Sequence, residues 1–282
     1  MNEPRTYRHP SLQYALVLLS MLMLGGGLLL MGSLGGDPWG AVFVGIMFLF
    51  ILGYYVFTLS NTVTLSDAGI AARNLLGEKS LAWGEIQQAG GGGGLKLKNM
   101  DGDVTVSIPS DLPGFEEIVE TVGAKCPALF AAKEFAEVDS GLRFFLPFGL
   151  LAILAGGALA FPTFIFRGFT SLPAAALLPM IGLAVLFLFI LGTALSTPRA
   201  ITQDGNILRI QYLGRERSLS ADEIEAVELK YQSTRSGRVY HPSLRLNNGK
   251  NVRISGLRLG AAVMYLVLKE WHKRQTGGNF FV

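Results

Sequence analysis

Charged positions divide this chain into apolar and polar segments. No Asp, Glu, Lys or Arg lies between Arg8 and Asp37, between Asp37 and Asp67, between Arg143 and Arg167, or between Arg167 and Arg199. Each interval exceeds the roughly 20 residues that a helix needs to cross a bilayer core. Each reads almost continuously as Leu, Val, Ile, Phe, Met, Ala and Gly. The pattern predicts four transmembrane helices, near 12–33, 39–59, 143–163 and 173–195. The first run is far longer than the apolar part of a secretory signal, about 7–15 residues. It ends in Ser33-Leu34-Gly35-Gly36-Asp37-Pro38 rather than at a small-residue cleavage site, so it is read as uncleaved.

The remaining segments alternate on a shorter period. Runs such as Thr62–Leu65, Ile70–Leu76 and Ser80–Trp83, broken at Asp67–Gly69 and at Gly77, predict antiparallel strands. Near the C-terminus, Asn247-Asn248-Gly249 suits a three-residue hairpin loop with its glycine in the left-handed region. That loop puts Leu244, Leu246, Val252 and Ile254 on one face and Arg245 and Arg253 on the other. In the earlier segment a four-residue loop, Asn99–Gly102, sets Leu97 against Val104 and Lys98 against Asp103. Each set of strands leads into an amphipathic helix. One carries Phe115, Ile118, Val119 and Val122 on its apolar face, with Ser110 or Asp111 as cap and Pro113 in its first turn; the other carries Leu257, Ala261, Met264, Leu268 and Trp271.

The chain also repeats itself. Leu49-Phe50-Ile51-Leu52-Gly53 recurs as Leu188-Phe189-Ile190-Leu191-Gly192, and Leu65-Ser66-Asp67-Ala68-Gly69 is answered by Ile201-Thr202-Gln203-Asp204-Gly205. Farther on, Glu85-Ile86 matches Glu223-Ile224, and Val104-Thr105-Val106-Ser107 matches Val252-Arg253-Ile254-Ser255. Matches in this order describe a unit of two spans plus a polar domain, used twice. The expected boundaries are 1–60 for the N-terminal head and first two spans, 61–142 for the first polar domain with a linker, 143–196 for the next two spans, and 197–282 for the second polar domain.

The segment Val63-Thr64-Leu65-Ser66-Asp67-Ala68-Gly69-Ile70, the turn at Leu76-Gly77, and Leu81-Ala82-Trp83-Gly84-Glu85-Ile86 resemble the bacterial pleckstrin-homology-like domain membrane proteins. The second copy is looser, with Ser220-Ala221-Asp222 where the first has Ala82-Trp83-Gly84. The resemblance implies an α+β membrane protein in which four transmembrane helices carry two small antiparallel-sheet domains, each closed by a C-terminal helix. It supplies no catalytic residue.

Composition agrees with the apolar blocks: 50% of the 282 residues are hydrophobic, 16% are charged, and mean hydropathy is +0.40. A soluble domain ordinarily carries about 25% charge. Basic residues lie in the N-terminal head (Arg5, Arg8) and in the polar domains, which by the positive-inside bias places both termini in the cytoplasm; the family resemblance implies the bacterial inner membrane. The net charge of +3 conceals a split. Residues 61–143 hold seven Lys and Arg against twelve Asp and Glu, whereas residues 197–282 hold fourteen against seven.

Chemistry is sparse. Gly90–Gly94 leads into Leu95-Lys96-Leu97-Lys98, a strand pattern, rather than into the Gly-Lys-Ser/Thr that opens a helix in a phosphate loop. The three histidines are scattered, Cys126 stands alone, and no Gly-x-Ser-x-Gly elbow occurs. The sequence therefore predicts no catalytic, cofactor or metal site and no nucleic-acid partner. The candidate contact residues are Arg235, Arg238, Arg245, Lys250, Arg253 and Arg258. A basic cluster of this kind suits anionic phospholipid headgroups of the lipid bilayer, or another membrane or cytoplasmic protein. The expected function is a non-enzymatic binding or scaffolding module. The alternatives are a self-assembling subunit, the acidic copy meeting the basic one within a chain or in a homo-oligomer, and a carrier or membrane hydrolase.

Overall fold

The computed structural model describes residues 4–10, 38–131, 133–141, 174–234 and 237–277, with single positions between 15 and 32 and at 149. The chain divides into two compact units, residues 1–129 with 234–238, and residues 130–233 with 239–282.

In the first unit, strand β1 (Arg5–Arg8) pairs antiparallel with β2 (Thr62–Leu65), which continues through β3 (Gly69–Asn74) to β4 (Gly77–Ala82). Helix α1 (Pro38–Leu59) reaches β2 after two residues. A 3-10 turn at Trp83–Glu85 leads into a three-stranded sheet of β5 (Gln88–Gly90), β6 (Gly94–Lys98) and β7 (Thr105–Pro109). Helix α2 (Phe115–Lys125) follows, burying Phe115, Ile118, Val119 and Val122 as their spacing predicts.

The second unit repeats this order. Strand β8 (Glu137–Asp139) pairs with β9 (Ala200–Asp204), and the sheet continues through β10 (Ile207–Tyr212) and β11 (Arg215–Ser220). Helix α3 (Ala174–Ser196) precedes β9. A 3-10 turn at Ala221–Glu223 opens the sheet of β12 (Ile224–Thr234), β13 (Gly237–Leu246) and β14 (Asn251–Arg253), and helix α4 (Ala261–Gln275) closes the unit. Leu244, Leu246, Val252 and Ile254 join Leu208, Ile210, Met264, Leu268 and Trp271 in one core. Two polar side chains register α4 on the sheets. Trp271 Nε1 donates to the Gly205 carbonyl at 3.0 Å, and His272 Nε2 lies 3.1 and 2.9 Å from the carbonyl oxygens of Ala221 and Ile224. Both partners only accept, so that nitrogen carries the proton.

Strand β1 was not foreseen in the N-terminal head, nor β8 in the linker. β1 is held by more than its ladder. Arg5 forms an ion pair with Glu117, the Tyr7 ring lies against Gly114, and His9 Nε2 lies 3.9 Å from Asp111 Oδ2. Alternate residues of the strand thus meet the start of α2. The same contact explains why that helix begins at Phe115, with Gly114 at φ +81° and no side-chain cap, rather than at Ser110 or Asp111 with Pro113 in its first turn. A Cβ at Gly114 would fall on the Tyr7 ring, 2.6 Å from Cε1.

The expected fold class of four transmembrane helices with two small pleckstrin-homology-like domains is corrected. Among the described residues one helix is long and apolar enough to cross a membrane: the Val42–Leu59 part of α1, with mean hydropathy 2.3 and no residue buried. The apolar stretch found in α3 is shorter, Ala184–Ser196. The span expected near 143–163 lies outside the described residues apart from position 149, as does most of that near 12–33. The multi-pass inner-membrane location falls with the four spans. Freedom from charge lowers the cost of burial in lipid, but a crossing also needs an unbroken apolar helix of bilayer length. The polar segments differ too, each unit holding a four-stranded and a three-stranded sheet rather than one small sheet.

One hairpin register is also corrected. Leu97 pairs with Val106 and Lys98 with Thr105, so the loop is longer than four residues and Lys98 does not face Asp103. Asn99 sets that length. Its backbone N–H donates to the Val104 carbonyl at 3.3 Å, and its Oδ1 accepts from the Val104 N–H at 3.1 Å. The later hairpin keeps its expected pairing, Leu244 with Val252, with Gly249 at φ +77°.

Gly69 sits where β3 passes β4 most closely. A Cβ there would strike the Leu81 carbonyl oxygen and lie 2.8 Å from the Ala82 Cα, whereas a Cβ on Gly84 would meet nothing within 4 Å. Gly69→Ala should therefore cost about 1–3 kcal/mol by overpacking and Gly84→Ala little, as read from the denaturation midpoints of the two variants.

Candidate functional site

The basic residues singled out from the sequence fall on or beside the three-stranded sheet of the second unit. Hairpin register decides which of them meet. Ser243 pairs with Arg253 and Arg245 with Asn251, so Arg245 and Arg253 share the face opposite Leu244 and Val252. Strand β12 contributes to that face through Glu228, Lys230 and Gln232, which alternate along it.

The result is a bonded network more than a bare cationic patch. Arg245 Nη1 lies 2.8 Å from Glu228 Oε1, and its Nη2 lies 2.9 Å from Glu225 Oε1. Lys230 Nζ lies 2.9 Å from Glu228 Oε2 and donates to Asn251 Oδ1 at 3.3 Å. Arg253 Nη1 donates to the neutral Gln232 Oε1 at 3.3 Å. A guanidinium gripping two carboxylates through separate nitrogens is geometrically fixed and electrostatically spent. Arg253, facing an amide, keeps its charge available.

The other candidates lie apart. Arg238, exposed, stands near the start of β13, and Lys250, exposed, follows the turn beyond its end. Arg258 belongs to the loop before α4, where its backbone N–H donates to the Asp139 carbonyl at 2.8 Å and its Nε lies 3.9 Å from the Asp139 carboxylate. Arg235 lies outside the described residues. The structure therefore brings together Arg245 and Arg253, with Lys250 beside β14, and separates Arg238 and Arg258 from them. Glu225, Glu228 and Lys230 were missed, although Glu228, Lys230 and Gln232 recur at the two-residue spacing that puts side chains on one face of a strand.

His241, on β13 within the same sheet, is half-buried. Burial, first, and then the neighbouring Arg253 charge pull its imidazole below the usual 6.5, with the Lys230 charge adding to them and hydrogen bonding to the Val239 backbone carbonyl opposing them. Elsewhere, Gly90 ends β5 and Gly94 begins β6, so the glycine run forms a strand connection. Cys126 is buried beside the Trp83 carbonyl at 3.7 Å, and burial pushes its thiol up. Among the described residues no three His, Cys, Asp or Glu side chains gather as a metal site would require. An open apolar groove of about 550 Å³ runs along α1, lined by Ile46, Leu49, Phe50, Gly53, Tyr54 and Phe57.

Compared with known proteins, the chain matches no family model and no curated protein.

Two measurements test this network. The unfolded chain binds the His241 proton more tightly than the folded one, so His241 favours folding above pH 6.5 and loses that contribution as pH falls below it. The thermal midpoint should decline on acidification, and His241→Gln should flatten that decline. Arg245→Ala leaves two carboxylates without their shared partner. Because Glu225 is exposed and Arg245 and Glu228 are half-buried, solvent screens the pairs in part and the loss should be about 1 kcal/mol, measured by chemical denaturation.

Proposed function

We propose that this chain is a non-enzymatic binding or scaffolding protein that works at a lipid surface, with α1 in the apolar phase and the β13–β14 edge of the second unit reading anionic headgroups. The observation that carries this reading is the exposure of α1. Its Val42–Leu59 window has no buried residue, and Phe50 and Tyr54 are 75% and 68% exposed. So large a contiguous apolar surface calls for lipid or another apolar surface to cover it. The headgroup contact rests on Arg253, which faces an amide rather than a carboxylate, and on exposed Lys250 three residues before it, at the turn that leads into β14. A basic side chain near an anionic leaflet contributes roughly 1 kcal/mol, within the reach set by salt screening. Arg245, Glu225 and Glu228 hold the sheet in shape instead of meeting the ligand.

The experiment uses the full chain, labelled with a fluorophore at Asn248→Cys and reconstituted in phosphatidylcholine vesicles with or without one quarter phosphatidylglycerol. Protection of the label from acrylamide should rise with the anionic lipid at low salt and fall at high salt. It should disappear in Lys250→Glu plus Arg253→Glu, which removes two such increments and adds repulsion. Protection indifferent to lipid charge would sink the headgroup reading, and a protein partner would then be the occupant to seek.

A further inference from the structure

The β3–β4 hairpin of the first unit ends in two leucines that its turn does not need. Leu75 and Leu76 form the two-residue loop and are 63% and 85% exposed. Their neighbours carry the reversal. Asn74 Oδ1 accepts from the Leu76 N–H at 2.9 Å, and Gly77 adopts φ +138°. Loop positions usually hold Gly, Pro or short polar residues, which set the dihedrals or bond back to the backbone. Two large apolar side chains at the most solvated point of a polar hairpin have a cause outside the turn.

Register shows where the tip lies. Arg8, Thr62, Arg73 and Glu78 form one row across β1, β2, β3 and β4. Helix α1 ends at Leu59, just before Thr62, so this row is the end of the sheet next to the apolar helix. The tip begins immediately beyond Arg73, roughly 5–10 Å to the side at ordinary strand spacing. The opposite end of the sheet turns through Ser66-Asp67-Ala68, which holds no large apolar residue. Exposed Arg73 on β3 and Glu78 on β4 stand either side of the leucine tip, and exposed Arg8 lies two strands away in the same row.

The second unit has the same asymmetry. Arg199, just after α3, donates its backbone N–H to the Gln211 carbonyl at 2.7 Å, so the β10–β11 tip stands at the helix end of that sheet as well. There the Arg215 guanidinium lies 4.7 Å from the centroid of the Tyr212 ring. Tyrosine and arginine are side chains that place an apolar body and a polar end on either side of a membrane boundary. The far turn, Asp204-Gly205-Asn206, is polar.

We infer that the β3–β4 tip is a lipid-contacting wedge: Leu75 and Leu76 enter the interfacial layer of the bilayer that holds α1, and Arg8 and Arg73 sit at headgroup level. This inference rests on the placement of α1 in lipid proposed above. It adds a second point of attachment, which fixes the tilt of the first unit's sheet against the surface. The chain enters and leaves the apolar segment through β1 and β2, on one side of the sheet, and the tip ties the β3–β4 side as well.

The test uses the full chain with a polarity-sensitive fluorophore on Leu76→Cys, on Ala68→Cys at the opposite end of the sheet, or on Phe50→Cys in α1. Native Cys126 is buried, and labelled wild-type protein supplies the background. Positions 76 and 68 are exposed, so neither substitution disturbs the core. The vesicles are phosphatidylcholine with one quarter phosphatidylglycerol, with or without lipid bearing a spin-label quencher just below the headgroup. The labels at 76 and 50 should be quenched at least about twofold more than the label at 68. Quenching at 50 with none beyond the level of 68 at position 76 overturns the wedge and leaves the lipid placement of α1 intact. No quenching at 50 overturns both. A label at 76 shielded from acrylamide yet unquenched by the spin-labelled lipid shows a protein covering the tip, and that also overturns the wedge.

Discussion

Each unit is closed by pairing between a strand that precedes an apolar segment and the strand that follows it. Arg8 stands opposite Thr62, and Asp139 stands opposite Ala200. Both ends of each intervening segment are therefore fixed within one interstrand spacing, about 4.8 Å. Everything else about the sheets follows from this closure: which row adjoins the helix, which hairpin tips share that end, and which turns face away. Holding the ends of a loop as long as residues 9–61 together costs on the order of 3–4 kcal/mol in chain entropy. A four-residue strand with cross-strand pairs worth about 0.2–1 kcal/mol each barely offsets that. The contacts of Arg5, Tyr7 and His9 with α2 and the turn before it add to that hold.

The face of the β12–β14 sheet shows how a count of charges differs from a field. Seven acidic residues accompany the fourteen basic ones in the C-terminal segment, and two of them, Glu225 and Glu228, are bound to Arg245. Pairing costs the network its net charge while giving the sheet a rigid outer surface. What is left is local: a guanidinium facing an amide and an ammonium on the adjoining turn, beside a neutralised centre.

Periodicity made much of the second unit legible. The two-residue alternation of Leu244, Leu246, Val252 and Ile254 located a hairpin, its loop and its buried face, since burying one face leaves little freedom of register. The α2 stripe was equally visible. The Asn99 hairpin was misread because Asn99, bonded to Val104 through both its backbone N–H and its side-chain oxygen, lengthens the loop with no trace in hydrophobicity. Strands β1 and β8 were invisible for a different reason: Arg-Thr-Tyr-Arg and Glu-Val-Asp carry almost no apolar pattern, and tertiary pairing alone makes them strands. Helix α4 was only half read. Val263, Tyr265, Leu266 and Val267 are buried along with Met264, Leu268 and Trp271, so an apparent stripe belongs to a helix covered on nearly all sides. Within the candidate site, the cations were legible one by one, but their distribution was not. Separating Arg238 and Arg258 from Arg253 requires the register and the loop path. The four expected spans show the same limit, because missing charge marks what lipid tolerates and says nothing about whether the chain is one continuous helix.

The closing of the first sheet also has a temporal side. During synthesis β1 leaves the ribosome first, and its partner β2 follows only after the whole apolar segment has been made. At about 5–20 residues per second, the delay is roughly 3–10 s, long compared with the microseconds in which an ordinary hairpin forms. Throughout that interval Arg5–Arg8 has no β2 to pair with. The strand therefore acts as a late clasp: the first unit becomes complete only once the whole apolar segment has been made.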